Sequence, residues 1–275
     1  MAVETIKTGT DHLLASLEDG VLTLTLNRPE ARNALSRELL DALSEQLGTA
    51  ELNTDVRCVV VTGSGKGFCA GGDVKAMAAR NEGGGEITID AAINRQRIDQ
   101  RATAGRLYKM PKPTIAALPG AAAGAGLSLA LSCDLRIMAS NAIMTTAFAR
   151  VGFSGDYGGT LFLSQLVGTA KARELYFLSE RISANEALSM GLTNWVVEAD
   201  ELVAKTREIA NRLASGPTVA YQYMKENIAR AHASGDVDDC LDLEVTHHVH
   251  CAKTDDHRNA VKAFIEKREP AFQGR

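Results

Sequence analysis

The stretch Gly67-Phe-Cys-Ala-Gly-Gly-Asp73 and its counterpart Gly120-Ala-Ala-Ala-Gly-Ala-Gly126 share one arrangement. Each follows a short apolar run typical of a buried strand, and each precedes a predicted helix. Glycines at such a junction let backbone N–H groups point into a cavity, where the helix N-terminus adds positive potential. Two such amides aimed at one point would form an oxyanion hole. The same glycines also suit tight turns and close packing, so composition leaves both interpretations open.

On either side of these two loops, predicted strands alternate with predicted helices through the first two-thirds of the chain. Helices dominate the last third. Asp19-Gly20 between two apolar runs predicts a hairpin, and Ser36 is a plausible N-cap for the helix that follows. One helix is predicted from about residue 87 to residue 108, and Ser183 with Glu186 matches a capping box. The pattern predicts an α/β core with a helical C-terminal part.

Composition narrows the class of protein. The 275 residues are 45% hydrophobic and carry a net charge of −4, which suits one large domain, or a domain with an appendage. A mildly acidic chain does not favour nucleic acid or an anionic membrane as its partner. The uncharged run from Thr114 to Cys133 contains Pro119 and several glycines, so it predicts a buried strand, a turn and a helix rather than a membrane span. The polar N-terminus and the odd number of cysteines predict a cytoplasmic protein with reduced thiols.

One acidic residue stands in a loop suited to catalysis. Asp156 lies within Gly152-Phe-Ser-Gly-Asp-Tyr-Gly-Gly-Thr160, among glycines and aromatic residues. A carboxylate in such a loop can serve as a general base. The residues alone favour a turn aspartate or a helix N-cap, because the chain becomes helical directly afterwards.

Two other patterns do not support a cofactor site. The histidines at 247, 248, 250 and 257 fit no standard zinc spacing and predict a partly exposed helix face, so no metal is expected. The segment Gly63-Ser-Gly-Lys66 lacks the spacing of a nucleotide phosphate loop.

Taken together, the motifs resemble those of the enoyl-CoA hydratase/isomerase (crotonase) superfamily over nearly the whole chain. The matching segments are Leu26-Asn-Arg-Pro29, Asn33-Ala-Leu35, Phe68–Asp73, Pro119–Asp134, Gly158-Gly-Thr160, Ile182-Ser-Ala184 with Glu186-Ala187, and Phe264-Ile-Glu-Lys-Arg268. The resemblance implies a crotonase-like spiral of ββα units over residues 1–200 and a helical trimerisation region over residues 201–275. It also implies a homotrimer or a dimer of trimers.

The resemblance further implies an acyl-CoA thioester substrate and no permanently bound cofactor, with coenzyme A entering as part of the substrate. Gly72 and Ala125 would supply the two oxyanion amides. Residues implied to contact coenzyme A are Arg28, Arg32, Ala34, Ala70 through its backbone, and Lys75, with Phe264 and Lys267 reaching over from a neighbouring subunit. Residues 76–89 would border the acyl pocket.

The departures from the family pattern bear on the reaction. Ser128 and Phe148 stand where a typical hydratase of the family carries its two glutamates, whereas Asp156 falls where some isomerases of the family place their single acid. Water addition needs a base and an acid, but one carboxylate suffices to move a double bond. The hypothesis is therefore 3-enoyl-CoA to 2-enoyl-CoA isomerisation with Asp156 as acid and base. The alternatives are an enoyl-CoA hydratase, which is a lyase of fatty acid beta-oxidation, and a non-catalytic acyl-CoA-binding trimer.

Overall fold

The chain begins with three short antiparallel strands. The computed structural model describes residues 3–73 and 88–275. Strands β2 (Leu13–Glu18) and β3 (Val21–Leu26) form the predicted hairpin, and β1 (Glu4–Ile6) pairs with β2. The turn residue Asp19 has a φ of 50°, and Gly20 has a φ of 80°. Positive φ at both central positions is what a tight hairpin turn requires.

The central part of the chain repeats one arrangement three times, in which consecutive strands enter two different sheets. The strands are β4 (Cys58–Gly63) and β5 (Gly67–Cys69), β6 (Thr114–Leu118) and β7 (Ala121–Ala123), and β8 (Leu135–Ala139) and β9 (Ile143–Thr145). The large sheet has the order β1-β2-β3-β4-β6-β8-β11, and the small sheet has the order β10-β9-β7-β5. The strands β10 (Ile182–Ser183) and β11 (Trp195–Val197) complete the two sheets.

From β3 to β11 the large sheet is parallel. Its central strands are buried on both faces, which accounts for the Val-rich and Ala-rich runs of β4 and β6. The mixed α/β architecture confirms the predicted fold class of a spiral of ββα units. The helices of the described residues are α1 (Arg37–Leu52), α2 (Ile89–Ala102), α3 (Ala104–Lys109), α4 (Ala125–Leu131), α5 (Gly159–Leu178), α6 (Ala184–Ser189), α7 (Leu202–Ala214), α8 (Thr218–Ser234), α9 (Val237–Cys251) and α10 (Asp255–Glu266).

Two local predictions are confirmed, and two need correction. Ser36 caps α1 by accepting from Leu39 N at 3.2 Å, and Ser183 and Glu186 form the capping box. The single helix predicted over residues 87–108 is interrupted at Thr103, whose φ of −115° and ψ of −90° are not helical. The run after Pro119 also contains a strand, β7, which the sequence did not predict because three consecutive alanines have weak strand propensity.

Beyond residue 200 the chain is helical, as predicted. Helix α7 packs across the large sheet through buried Leu202, Ile209 and Ala210, whereas α8 contains no buried residue. The domain boundary at residue 200 stays a prediction. All five cysteines are free thiols. Among the described residues, no helix combines the length and apolar character that crossing a membrane requires.

Candidate active site

The two glycine-rich segments meet because β5 and β7 are parallel neighbours in the small sheet. Gly67 pairs with Ala121, and Cys69 pairs with Ala122. Just after β5, Gly71 has a φ of 90°, and a Cβ there would lie 2.8 Å from Ala123 O and 3.2 Å from Ala125 N. No other residue type would tolerate both the backbone conformation and this close approach. The pairing therefore places the chain at Gly71-Gly72 directly against the start of α4.

Helix α4 presents its N-terminus at this junction. Ala125 is its first residue, where a backbone amide has no acceptor within the helix, and Gly124 precedes it with a φ of 52°. A Cβ on Gly126 would lie 2.3 Å from Cys69 O, so the helix can approach the first segment only with glycine there. Gly72 and Ala125 both line one cavity of about 540 Å³. Both residues therefore border one cavity, and their predicted role as two amides serving one oxygen stays a prediction.

Asp156 lines the same cavity. Its Oδ2 accepts from Gln96 Nε2 at 3.3 Å, whereas its buried Oδ1 has no hydrogen-bond partner among the described residues. Burial raises the pKa of Asp156 to about 6, because an ionised carboxylate loses hydration there. The N-cap interpretation is wrong, since α5 begins at Gly159 after Gly158, with no side-chain cap. A desolvated carboxylate with one free oxygen is suited to accepting a proton.

The loop around Asp156 is held by helix α2. Tyr157 adopts a positive φ of 51°, and its backbone N donates to Gln100 Oε1 at 2.9 Å. Gln96 and Gln100 are one helical turn apart, so one face of α2 holds both the carboxylate and the loop backbone. Sequence reasoning missed both glutamines, and their four-residue spacing within a predicted helix was the only signal available.

The positions of the two family glutamates hold no acid. Ser128 is 1% exposed, and its hydroxyl donates to Gly124 O at 3.3 Å. Phe148 is also buried, and its ring stacks on Tyr176 with centroids 5.8 Å apart and planes 9° apart. Residues 128 and 148 therefore supply a hydroxyl and an aromatic ring, and neither of them lines the cavity that Asp156 borders.

Arg28 lies at the first glycine-rich segment and lines the cavity. Its Nη1 donates to Ala34 O at 2.8 Å and to Asp73 Oδ2 at 3.1 Å, and its side chain is 15% exposed. Its buried Nε has no hydrogen-bond partner within residues 3–73 and 88–275. These bonds tie the turn before α1 to the end of the first segment. The role of Arg28 and of buried Ala34 at coenzyme A stays a prediction.

The neighbouring turn is organised by Asn33, which sequence reasoning did not assign. Its buried side chain donates to Ser64 O at 3.0 Å and to Gly67 O at 2.9 Å, and accepts from Arg28 N at 2.8 Å. On the same turn, Arg32 is exposed, and its carbonyl accepts from Ala70 N at 3.0 Å. Ala70 is exposed, and its backbone amide already donates to the Arg32 carbonyl. Binding of adenine through the Ala70 backbone would have to use the carbonyl.

A charged group at the cavity was also missed by sequence reasoning. Arg37 Nη1 donates to Asp99 Oδ2 at 2.7 Å, which joins α1 to α2 across the cavity. His12 Nδ1 lies 2.9 Å from Ser36 Oγ and 3.8 Å from Glu38 Oε2. Arg95 also lines this region. The cavity therefore combines a polar lining at α1 and α2 with the amides and the carboxylate described above.

Two predicted coenzyme A contacts, Phe264 and Lys267, lie at the C-terminal end of the described chain. Phe264 is 85% exposed on α10, and Lys267 follows that helix at an exposed position with a φ of 53°. Neither residue lines the cavity of its own chain. Their predicted contact with coenzyme A in a neighbouring subunit stays a prediction. Lys75 and residues 76–87 of the predicted acyl-pocket border lie outside the described residues.

The histidine cluster is not a metal site within the described part of the chain, where no group of three potential ligands converges. One aspect of the prediction is corrected: His247 is buried rather than on an exposed face. Its ring stacks on Tyr223 at 4.2 Å, and its Nδ1 lies 2.6 Å from Asn227 Oδ1. These contacts join α9 to α8 and give His247 a packing role.

Comparison with known proteins agrees with this geometry. The family model described as Enoyl-CoA hydratase/isomerase matches residues 16–275. The chain is 38% identical to the 1,2-epoxyphenylacetyl-CoA isomerase of Escherichia coli, covering 96% of this chain and 99% of that protein. It is 37% identical to the short-chain-enoyl-CoA hydratase of Clostridium acetobutylicum, covering 94% and 96%.

Solved structures show the same likeness. The enoyl-CoA hydratase from a Polaromonas species matches with a TM-score of 0.85 at 35% identity, covering 94% of this chain and 99% of that chain. The enoyl-CoA hydratase from Bacillus anthracis matches with a TM-score of 0.85 at 31% identity and covers both chains completely. The similar proteins thus include both isomerases and hydratases.

Proposed function

This chain belongs to the enoyl-CoA hydratase/isomerase (crotonase) family of acyl-CoA enzymes, and on that premise we propose that it isomerises a 3-enoyl-CoA to the conjugated 2-enoyl-CoA. The observation that carries the proposal is the state of Asp156. Its carboxylate lines the cavity, has a pKa raised to about 6, and keeps one buried oxygen to which no residue of ranges 3–73 and 88–275 donates. Ser128 and Phe148 supply no second acid.

In the proposed reaction, the thioester oxygen accepts hydrogen bonds from the amides of Gly72 and Ala125. Asp156 removes a proton from C2, and the negative charge of the resulting dienolate concentrates on that oxygen. The protonated carboxyl then returns the proton to C4, which leaves the double bond between C2 and C3. Each oxyanion donor contributes about 3 kcal/mol or more to such a transition state. A base with a pKa near 6 is mostly ionised at neutral pH and remains strong enough to accept the proton.

Hydration of a 2-enoyl-CoA is the second candidate, because one similar protein is a short-chain-enoyl-CoA hydratase. That reaction needs one group to activate water and one to protonate C2. Asp156 can fill one of these roles, but the neighbouring positions 128 and 148 offer a hydroxyl and a phenyl ring. We therefore favour the reaction that requires a single carboxylate.

The test follows the absorbance of the conjugated thioester after purified protein is mixed with a 3-enoyl-CoA. The Asp156→Asn variant runs in parallel, and loss of a 2-enoyl-CoA is followed as the hydration control. We expect conjugation with the wild type and a fall of about 10²–10⁴-fold in the variant, because the proton acceptor is removed. Hydration without conjugation would replace the proposal with the hydratase. Binding of acyl-CoA without turnover of either substrate would leave the non-catalytic acyl-CoA-binding trimer.

We also propose that the protein assembles as a homotrimer or a dimer of trimers through its C-terminal helices. Helix α9 exposes Leu241, Val245 and Val249, which recur every four residues and so form one apolar stripe. An apolar stripe of this kind is costly to leave in water and is typical of subunit contacts.

A further inference from the structure

Helix α5 turns back on itself and returns to the Asp156 loop. Gly168 lies inside α5 with a φ of 75° and a ψ of 163°, which breaks the helix into two arms. As a result Tyr176, near the end of the second arm, lies beside Gly155, which precedes the first arm, and Gly159, which begins it. A Cβ on Gly155 would lie 2.9 Å from Tyr176 Cε1 and 3.3 Å from its hydroxyl oxygen. A Cβ on Gly159 would lie 2.7 Å from that same oxygen.

Asp156 stands between these two glycines. Its Oδ1 is a buried acceptor with no donor in the part of the chain that the structure describes. The Tyr176 hydroxyl is a donor for which the described residues provide no acceptor within hydrogen-bonding distance. A short hydrogen bond from a neutral O–H group stabilises the charged form of a buried carboxylate. A donor and an acceptor oxygen of complementary chemistry therefore lie at the same short loop, and neither has a hydrogen-bond partner among the described residues.

We propose that the Tyr176 hydroxyl donates a hydrogen bond to ionised Asp156 in the working protein and so sets the strength of that base. Tyr176 is then a positioning residue, which acts on the substrate only through Asp156. The inference rests on the proposed role of Asp156 as the base. Rotation of the Asp156 side chain about χ1 and χ2, with its Oδ2 still held by Gln96, is the kind of adjustment that would close the bond.

The surroundings favour this direction of the bond. Burial, with a smaller contribution from the Asp156 charge, raises the pKa of Tyr176 to about 12, so the phenol keeps its proton at neutral pH. Phe148 stacks on the Tyr176 ring from the other side and adds no charge. The other ionisable groups that line the cavity with Asp156 are His12, Arg28, Arg37, Glu38, Asp73, Arg95, Asp99 and Tyr157. Of these, Arg37 is paired with Asp99, and Arg28 is paired with Asp73.

The first test titrates Asp156 directly by carbon NMR of protein labelled at the aspartate carboxyl carbons, with the Asp156 signal assigned by its loss in Asp156→Asn. Tyr176→Phe keeps the ring and its stacking on Phe148 and removes only the hydroxyl. We expect the pKa of Asp156 to be higher in Tyr176→Phe than in the wild type by about one unit, a tenfold change in acid dissociation. Tyr221→Phe is the matched control, because Tyr221 lies on α8 against Gly216, and it should leave the titration unchanged. An Asp156 titration that is the same in Tyr176→Phe and the wild type would overturn the inference.

The second test measures the pH dependence of turnover. Loss of the hydrogen bond should move the acid limb of the rate profile upward by the same amount, with recovery of the rate at alkaline pH. A purely structural role would lower the rate equally at all pH values. The NMR titration needs no substrate, so the hydrogen bond and the proposed function are tested independently. If the Asp156 titration shifts in Tyr176→Phe but the wild type isomerises no 3-enoyl-CoA, the Tyr176–Asp156 hydrogen bond is supported and the proposed function is rejected.

Discussion

Gln96 Nε2 donates to Asp156 Oδ2 at 3.3 Å, and this bond links two residues that are 60 positions apart in the chain. This hydrogen bond engages only one of the two carboxylate oxygens, and it orients the carboxylate from helix α2. A donor to a carboxylate favours the ionised form, so Gln96 opposes the effect of burial on the pKa of Asp156.

Replacement of this donor should weaken catalysis in a pH-dependent way. For Gln96→Leu we expect the acid limb of the rate profile to move upward by about half a unit to one unit, because the charged carboxylate loses a hydrogen bond. Gln165→Leu is the control, since Gln165 Oε1 accepts from the Tyr108 hydroxyl at 3.4 Å and Gln165 does not line the cavity. An unchanged acid limb in Gln96→Leu would mean that the amide only fills space.

Removal of the Asp156 charge should stabilise the fold at neutral pH. The pKa of Asp156 is raised from 3.8 to about 6, so between these values the folded state binds more protons than the unfolded state. Stability contributed by this group is therefore present at low pH and declines as the pH rises toward 6. We expect Asp156→Asn to raise the free energy of unfolding at pH 7 by about 1 to 3 kcal/mol, with the gain vanishing near pH 4.

Denaturant unfolding at pH 4 and pH 7 checks this expectation. Asp134→Asn is a useful contrast, because Asp134 Oδ2 accepts from Thr114 N at 2.7 Å and lies 2.8 Å from Lys225 Nζ. Loss of those partners should destabilise the protein at pH 7. If Asp156→Asn were less stable than the wild type at pH 7, burial would not be the dominant effect on this carboxylate.

The close approach of α4 to the first glycine-rich segment should tolerate no side chain at residue 126. In Gly126→Ala the new Cβ would lie 2.3 Å from Cys69 O and 2.7 Å from Cys69 Cβ. The helix must shift, which we expect to cost about 1 to 3 kcal/mol of stability and to lower kcat at least about tenfold by displacing the Ala125 amide. Thermal unfolding and turnover measure the two effects.

Gly67→Ala is the matched control for that variant. Its Cβ would meet Ala121 O at 3.9 Å, an ordinary contact, and its backbone does not require glycine. Near wild-type turnover is expected. Equal loss of turnover in both variants would show that general instability, rather than the position of the amide, limits the reaction.

Assembly should depend on the apolar stripe of α9. Val245 is 55% exposed within that stripe, and Val245→Asp places a charge at its centre. We expect light scattering to show trimers or hexamers for the wild type and smaller species for the variant, because a buried unpaired charge opposes association. Leu52→Asp, at an 85% exposed position at the end of α1, should not change the mass. A monomeric wild type would contradict the proposed assembly.

Much of the fold was predictable from local patterns. The hairpin at Asp19-Gly20, the Ser36 cap and the capping box at Ser183 depend on neighbouring residues, and all three are confirmed. Strand β7 and the interruption at Thr103 escaped prediction. A three-residue strand of alanine forms only because β5 and β9 pair with it, and such pairing partners are distant in the chain.

The sequence by itself determined the α/β core with its helical C-terminal part, the two glycine-rich segments, the acid at residue 156 and the absence of acids at residues 128 and 148. These are matters of residue identity and short-range periodicity. Only the tertiary structure decided that Gly71 lies against the Ala125 amide, that Gln96 holds Asp156, and that Gly168 returns Tyr176 to the Asp156 loop. The strength of Asp156 as a base belongs to this second group, because a pKa depends on the water and hydrogen bonds that the folded chain removes or supplies.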